Sequence, residues 1–129
     1  MIDIHEISTP ALAYLGDCVL ELCVRRHLVD KGLSTSAHLN AAALDFVRAS
    51  AQAEAMKRLL PHLTEEEAAV FRRGRNLGHS NVPKRATVSE YRSATGMEAL
   101  FGYLHLLGRT DRIDELFALA YPPQDTAAQ

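Results

Sequence analysis

The sequence predicts an all-α domain. Three observations carry that prediction. Apolar residues recur at three- and four-residue spacing nearly throughout, two complete helix-start signatures occur, and no stretch alternates apolar and polar residues as a half-buried strand would. A length of 129 residues with 47% hydrophobic and 23% charged residues suits one domain with its own core. A single domain is therefore expected over 1–129, with its core at about 9–121 and a polar tail at 122–129.

The elements follow in order. Thr9-Pro10 reads as a helix cap followed by proline at the first helical position, and the helix should run to about Asp30, stopping before Gly32. Leu12, Leu15, Val19, Leu22 and Cys23 fall on one broad face of it. Ser34 to Val47 and Ala51 to Leu60 suggest two shorter helices, the second closed by Pro61. Thr64-Glu65-Glu66-Glu67 is a capping box opening a helix to Arg73. Thr87-Val88-Ser89-Glu90 is a second one, opening a long helix to about Leu107, which Gly108 ends. Thr110-Asp111 then caps a last helix to about Ala120.

No apolar run approaches the roughly 18 residues of a membrane span, and the acidic start Met1-Ile2-Asp3-Ile4-His5-Glu6 lacks the basic region of a signal peptide. A cytoplasmic protein is expected. Cys18 and Cys23 stand five apart on one helix, which turns them away from each other, so both read as small core residues and not as a bridge. Net charge is −2, yet the stretch from Phe71 to Arg92 carries six bases, Arg72, Arg73, Arg75, Lys84, Arg85 and Arg92, against one acid, Glu90. Local charge decides where a polyanion docks. Inside that stretch, Asn76 to Ala86 holds the turn formers Gly78, Asn81 and Pro83 and reads as a basic loop between two helices, mobile on its own, with His79 as a further contact for a polyanion.

Three acids stand out because apolar or small residues surround them. From Pro10 to Val24 the charged residues are Asp17 and Glu21, four apart on one stripe. From Ser93 to Leu107 the one acid is Glu98, on a stripe with Thr95 and Gly102 whose small residues let another helix approach. Burying an unpaired carboxylate costs several kcal/mol, so each needs a partner. Two readings stay open on pattern alone. Each acid pairs with a nearby Arg, or the two helices pack together and Asp17 and Glu98 share Mg²⁺ or Mn²⁺, hard cations that prefer carboxylate oxygens. Beside a basic loop, the second reading implies phosphodiester hydrolysis.

Leu12-Ala13-Tyr14-Leu15-Gly16-Asp17-Cys18-Val19-Leu20 resembles the signature helix of the ribonuclease III family. Its continuation through Glu21-Leu22-Cys23-Val24-Arg25-Arg26-His27-Leu28, then Arg72-Arg73-Gly74-Arg75-Asn76, then Tyr91 to Leu104, resembles the Mini-ribonuclease III branch in order and rough spacing. The resemblance implies the helical ribonuclease III catalytic domain, a homodimer, and Mg²⁺-dependent cleavage of double-stranded RNA, with a precursor of large-subunit ribosomal RNA as the substrate. It places the family's signature Asp on Asp17 and its late catalytic Glu on Glu98. It places the aromatic that enters the partner's pocket on Tyr14, which the residue pattern alone reads equally as a core tyrosine. Two acids of the larger members are missing, their positions being Ala13 and Thr95; Glu21 either replaces one of them or pairs with Arg25. His105, seven residues after Glu98, either approaches the site or packs elsewhere.

The expected mechanism is hydrolysis by metal-activated water in line with the leaving 3′-oxygen, giving 5′-phosphate and 3′-hydroxyl ends. Asp17 and Glu98 hold the metal, and Arg72, Arg73, Arg75, Asn76, Lys84, Arg85 and Arg92 position the backbone. The chain has no room for a separate RNA-binding domain, so the catalytic dimer itself grips phosphates. The alternatives are a non-catalytic helical dimer that binds structured RNA on the ribosome, which would be expected to lose the acids, and a protein-interaction module, which explains neither the acids nor the basic loop.

Overall fold

The computed structural model describes residues 2–77 and 86–123. Six α-helices form the described part: α1 (Thr9–Asp30), α2 (Ser36–Val47), α3 (Ala49–Leu59), α4 (Glu65–Arg75), α5 (Val88–Leu106) and α6 (Thr110–Ala120). Two 3-10 turns, Ile4–Glu6 and Leu60–His62, precede α1 and follow α3. No strand occurs among the described residues, as the periodicity requires. No helix there is long and apolar enough to cross a membrane. Gly78 to Arg85, with His79, Lys84 and Arg85 of the expected basic loop, and the tail from Gln124 lie outside the described residues.

α5 is the axis of the fold. Every residue from Ala94 to Leu104 is buried except Glu98. A helix apolar nearly all round has to be enclosed, and α1, α4 and α3 enclose this one. Leu100, Phe101 and Leu104 are fully buried beside Met56 and Leu59 of α3 and Leu116 of α6. α1 contributes Leu12, Val19 and Leu20 to the same core.

The helix starts follow the expected chemistry, with corrections. Both capping boxes form: Thr64 and Thr87 accept from the backbone N–H of Glu67 and Glu90, whose carboxylates accept from the threonine N–H groups in return. α1 is capped one residue earlier than predicted, by Ser8, whose hydroxyl accepts from Ala11; Thr9 is already helical. α6 has no side-chain cap, its N-cap being Arg109. Pro61 sits inside the 3-10 turn after α3, where its missing N–H costs nothing. Gly32 and Gly108 take φ of +90° and +72°, the left-handed conformation that stops α1 and α5.

One buried ion pair ties α6 to α4. Arg112 donates from Nε and Nη2 to both oxygens of Glu67 at 2.9 and 2.8 Å, and from Nη2 to the His62 carbonyl at 2.8 Å. Arg112 holds the Glu67 carboxyl below its ordinary range, and the Thr64 backbone N–H bond adds to that, while burial opposes it.

The expected face of α1 is only partly right. Leu12 and Val19 are buried, whereas Leu22 is 66% exposed. Cys18 is exposed and Cys23 half-buried, so they are not the pair of core residues expected. α1 is covered by α5 on one side and by α2 on another, and neither reaches the stripe that carries Tyr14, Cys18 and Leu22.

Candidate active site

The site begins with two glycines. α1 and α5 cross in opposite directions, Gly16 lying against Glu98 and Gly102, and Gly102 against Leu12 and Gly16. A Cβ on Gly16 would lie 1.5 Å from the Glu98 carbonyl oxygen, and one on Gly102 would lie 2.1 Å from that of Leu12. Only glycine at both positions permits backbones this close. A second crossing of the same kind seats α4 on α5, where a Cβ on Gly74 would come 2.8 Å from the Gly96 Cα. The sequence offered a signal for it, a glycine inside each helix, that the periodicity reading did not use.

The first crossing brings Asp17 and Glu98 together. Their carboxyl groups are within hydrogen-bonding reach, and Glu98 is pushed up to about 8, chiefly by burial and then by the charge of Asp17 and its hydrogen bond. No Arg, Lys or His pairs with either acid among the described residues. Among the described residues, the reading in which each acid has its own Arg therefore finds no support for these two. It holds for Glu21, which accepts from Arg25 Nη2 at 2.8 Å within α1. Two adjoining carboxylates, one of them half-buried and neither paired to a cation of the described residues, have the oxygen-donor chemistry that suits a hard divalent ion. No third His, Cys, Asp or Glu joins them among the described residues. Thr95, in the place of an acid of larger family members, is buried, with its hydroxyl given to the Tyr91 carbonyl at 3.0 Å.

The basic residues divide. Arg75, Asn76 and Arg92 line one cavity with Val88 and Ser89. Arg75 lies over the Phe71 ring at 5.7 Å and donates to Asn76 Oδ1 at 3.4 Å. Arg73 faces elsewhere, into a cavity with His5, Glu66 and Tyr103. Arg72 is exposed on α4. His105 is exposed and borders the groove between α1 and α6, beside Leu22 and Asp114, not the carboxylate pair. Tyr14 is 86% exposed, so it is not an ordinary core tyrosine of the protomer.

Residues 10–109 match the ribonuclease III domain. The chain belongs to the ribonuclease III family. Within it, similarity is to Mini-ribonuclease 3 proteins: 48% identity to that of Desulfitobacterium hafniense, over 84% of this chain and 69% of that one. Identity is 48% to that of Gloeobacter violaceus, over 92% and 85% of the two chains. A crystal structure of a protein from Fusobacterium nucleatum superposes with a TM-score of 0.82 at 30% identity, covering 92% of this chain and 95% of the other. The ribonuclease III domain thus spans α1 to α5, the two helices that carry the acids included.

Proposed function

We propose that this endoribonuclease cleaves double-stranded RNA at the Asp17–Glu98 pair, in a homodimer, with a ribosomal RNA precursor as its substrate. The observation that carries the reading is the pair itself: two carboxyl groups forced together by a glycine crossing, with no cation of the described residues paired to either. A fold under no catalytic demand gains nothing from that arrangement, since adjoining carboxylates repel.

Asp17 and Glu98 would hold Mg²⁺ or Mn²⁺. Such an ion, when bound, supplies Lewis acidity toward water and phosphate. The chain's own residues do the rest. Asp17, exposed at the crossing, would orient water for in-line attack opposite the 3′-oxygen, and Glu98 would hold the cation as a carboxylate, its proton released to solvent. Arg75, Asn76 and Arg92 hold the backbone. Arg72, one turn before Arg75 on α4, Arg73 on the far side of that helix, and Lys84 and Arg85 beyond the described residues, add to the grip. Products with 5′-phosphate and 3′-hydroxyl ends follow from attack by water at phosphorus with departure of the 3′-oxygen.

The homodimer rests on the exposed aromatic at Tyr14 together with Leu22 and Val29 on the same helix, 66% and 61% exposed. An uncovered apolar seam of this kind marks an interface. The test is cleavage of a perfect RNA duplex with and without Mg²⁺, beside single-stranded RNA of the same sequence. Duplex-specific, Mg²⁺-dependent cleavage with 5′-phosphate ends is the expected result. Binding without cleavage would favour the non-catalytic RNA-binding dimer.

A further inference from the structure

The bases that the sequence groups together occupy separate faces. A helix turns by about 100° per residue, so Arg73 and Arg75 leave α4 about 200° apart. Arg73 shares its cavity with an acid, Glu66. Among the described residues, the cavity of Arg75, about 400 Å³ in volume, is lined by Arg75, Asn76, Val88, Ser89 and Arg92 and by no carboxylate. The nearest acid in sequence is Glu90, whose carboxylate is spent on the Thr87 N–H at 2.9 Å. Neither Arg75 nor Arg92 enters an ion pair among the described residues.

The lining has a donor character. Arg75 is held by the Phe71 ring and by its Nε bond to Asn76 Oδ1, which leaves both Nη groups and the Asn76 amide nitrogen to donate elsewhere. Arg92 adds a second guanidinium and Ser89 a hydroxyl. Two guanidinium groups, one carboxamide and one hydroxyl, with no acid among the described lining residues, match a tetrahedral phosphate. Arg92 stands six residues before Glu98, about 9 Å along α5 at 1.5 Å per residue. Neither Asp17 nor Glu98 lines the cavity, so a phosphate held there lies beside the carboxylate pair and not at it.

The geometry points to Ser89 as a positioning residue that completes, with Arg75, Asn76 and Arg92, a cradle for one backbone phosphate flanking the scissile one. The inference rests on the proposed cleavage of RNA and adds to it a residue and a subsite. The hydroxyl acts on where the strand lies, and the bond-breaking step does not pass through it.

The experiment is binding of an RNA duplex over a salt series, with Ca²⁺ in place of Mg²⁺ to hold cleavage back. It uses wild type, Ser89→Ala, Ser89→Asp, the double variant Arg75→Ala with Arg92→Ala, and that double variant carrying Ser89→Asp. Ser89→Ala should weaken binding about five-fold, one hydrogen bond's worth, with the salt slope unchanged. Ser89→Asp should weaken it about 10- to 100-fold at low salt. Its slope of log affinity against log salt should fall by about one, because its single carboxylate cancels one of the two guanidinium charges before RNA arrives. In the double-alanine background Ser89→Asp should change affinity by less than about three-fold, a coupling that an unrelated surface effect would not produce. An Asp in the first turn of α5 suits the helix dipole, so Tm should be unchanged or higher, which separates lost binding from lost folding. With Mg²⁺, KM should rise and kcat should hold. Unchanged affinity and slope in Ser89→Asp, an undiminished effect in the double-alanine background, or a lower kcat at constant KM would each overturn the cradle. Failure of wild type to bind any duplex would overturn the proposed function instead, and the cradle with it.

Discussion

Gly16 lies against the backbone carbonyl of Glu98 so closely that a methyl group at position 16 would sit 1.5 Å from its oxygen. The contact is backbone to backbone, so no side chain can swing aside to relieve it. It sets the separation of α1 and α5, and through that the separation of Asp17 from Glu98.

Gly16→Ala should therefore cost more activity than stability. Overpacking a core typically costs about 1–3 kcal/mol, and here the helices must part to make room. Urea denaturation should show a folded but weakened protein. Duplex cleavage by the folded fraction should fall by at least about 100-fold, since a misplacement of about 1 Å already costs that much. Wild-type cleavage by a folded Gly16→Ala protein would detach the crossing from the chemistry.

Asp17→Asn and Glu98→Gln should each lower cleavage by about 10³-fold or more, because the several kcal/mol of charge stabilisation at the phosphate depend on both acids. Duplex binding in Ca²⁺ should stay within a few-fold of wild type. Glu98→Gln should also raise the Tm of metal-free protein above neutral pH, where it removes a carboxylate forced against another. Tm in the presence of chelator, beside cleavage assays, tests both halves.

The raised Glu98 carboxyl predicts how pH and metal interact. In the folded, metal-free protein it titrates at about 8 against an ordinary 4.5. The folded state thus holds a proton that the unfolded state has lost, and metal-free stability should fall as pH rises from about 4.5 to about 8. A cation must displace that proton, so apparent Mn²⁺ affinity should rise by up to about tenfold per pH unit below about 8 and level off above it. Calorimetric titration in buffers of different ionisation enthalpy measures the proton released. Affinity independent of pH would remove Glu98 from the metal site.

Arg112→Ala leaves the Glu67 carboxylate, 3% exposed, without its guanidinium, and should cost about 3–5 kcal/mol at neutral pH. Glu67 titrates below its ordinary 4.5 because of Arg112. The pair's contribution is complete above that value and is lost as pH falls through the lowered one. The gap between wild type and variant in urea midpoints should narrow as pH falls below 4.5 and close once Glu67 is protonated in the folded state.

Tyr14→Ala should weaken self-association with little loss of protomer stability, since the ring is 86% exposed in the protomer. Sedimentation or light scattering over a dilution series reads the difference. A wild-type protein that is monomeric and fully active at assay concentrations would remove the dimer from the mechanism.

The sequence by itself determined the helical class, both capping boxes, the glycine stops at Gly32 and Gly108, and the isolation of Asp17 and Glu98 among apolar neighbours. These are local matters: hydrogen bonds three residues apart, a φ that only glycine tolerates, an acid where burial is the rule. Tertiary structure alone decided what covers each face. Leu22 and Cys18 share a helical period with core residues, yet lie exposed because none of the described helices packs over that part of α1. Arg73 and Arg75 are two residues apart in a run that reads as one basic patch. The 100° turn per residue sends them into different cavities, one shared with Glu66 and one with Ser89. Spacing placed Asp17 and Glu98 each on a stripe of its own helix, but their meeting depended on a backbone approach between segments 81 residues apart in sequence, which a period within either helix cannot encode.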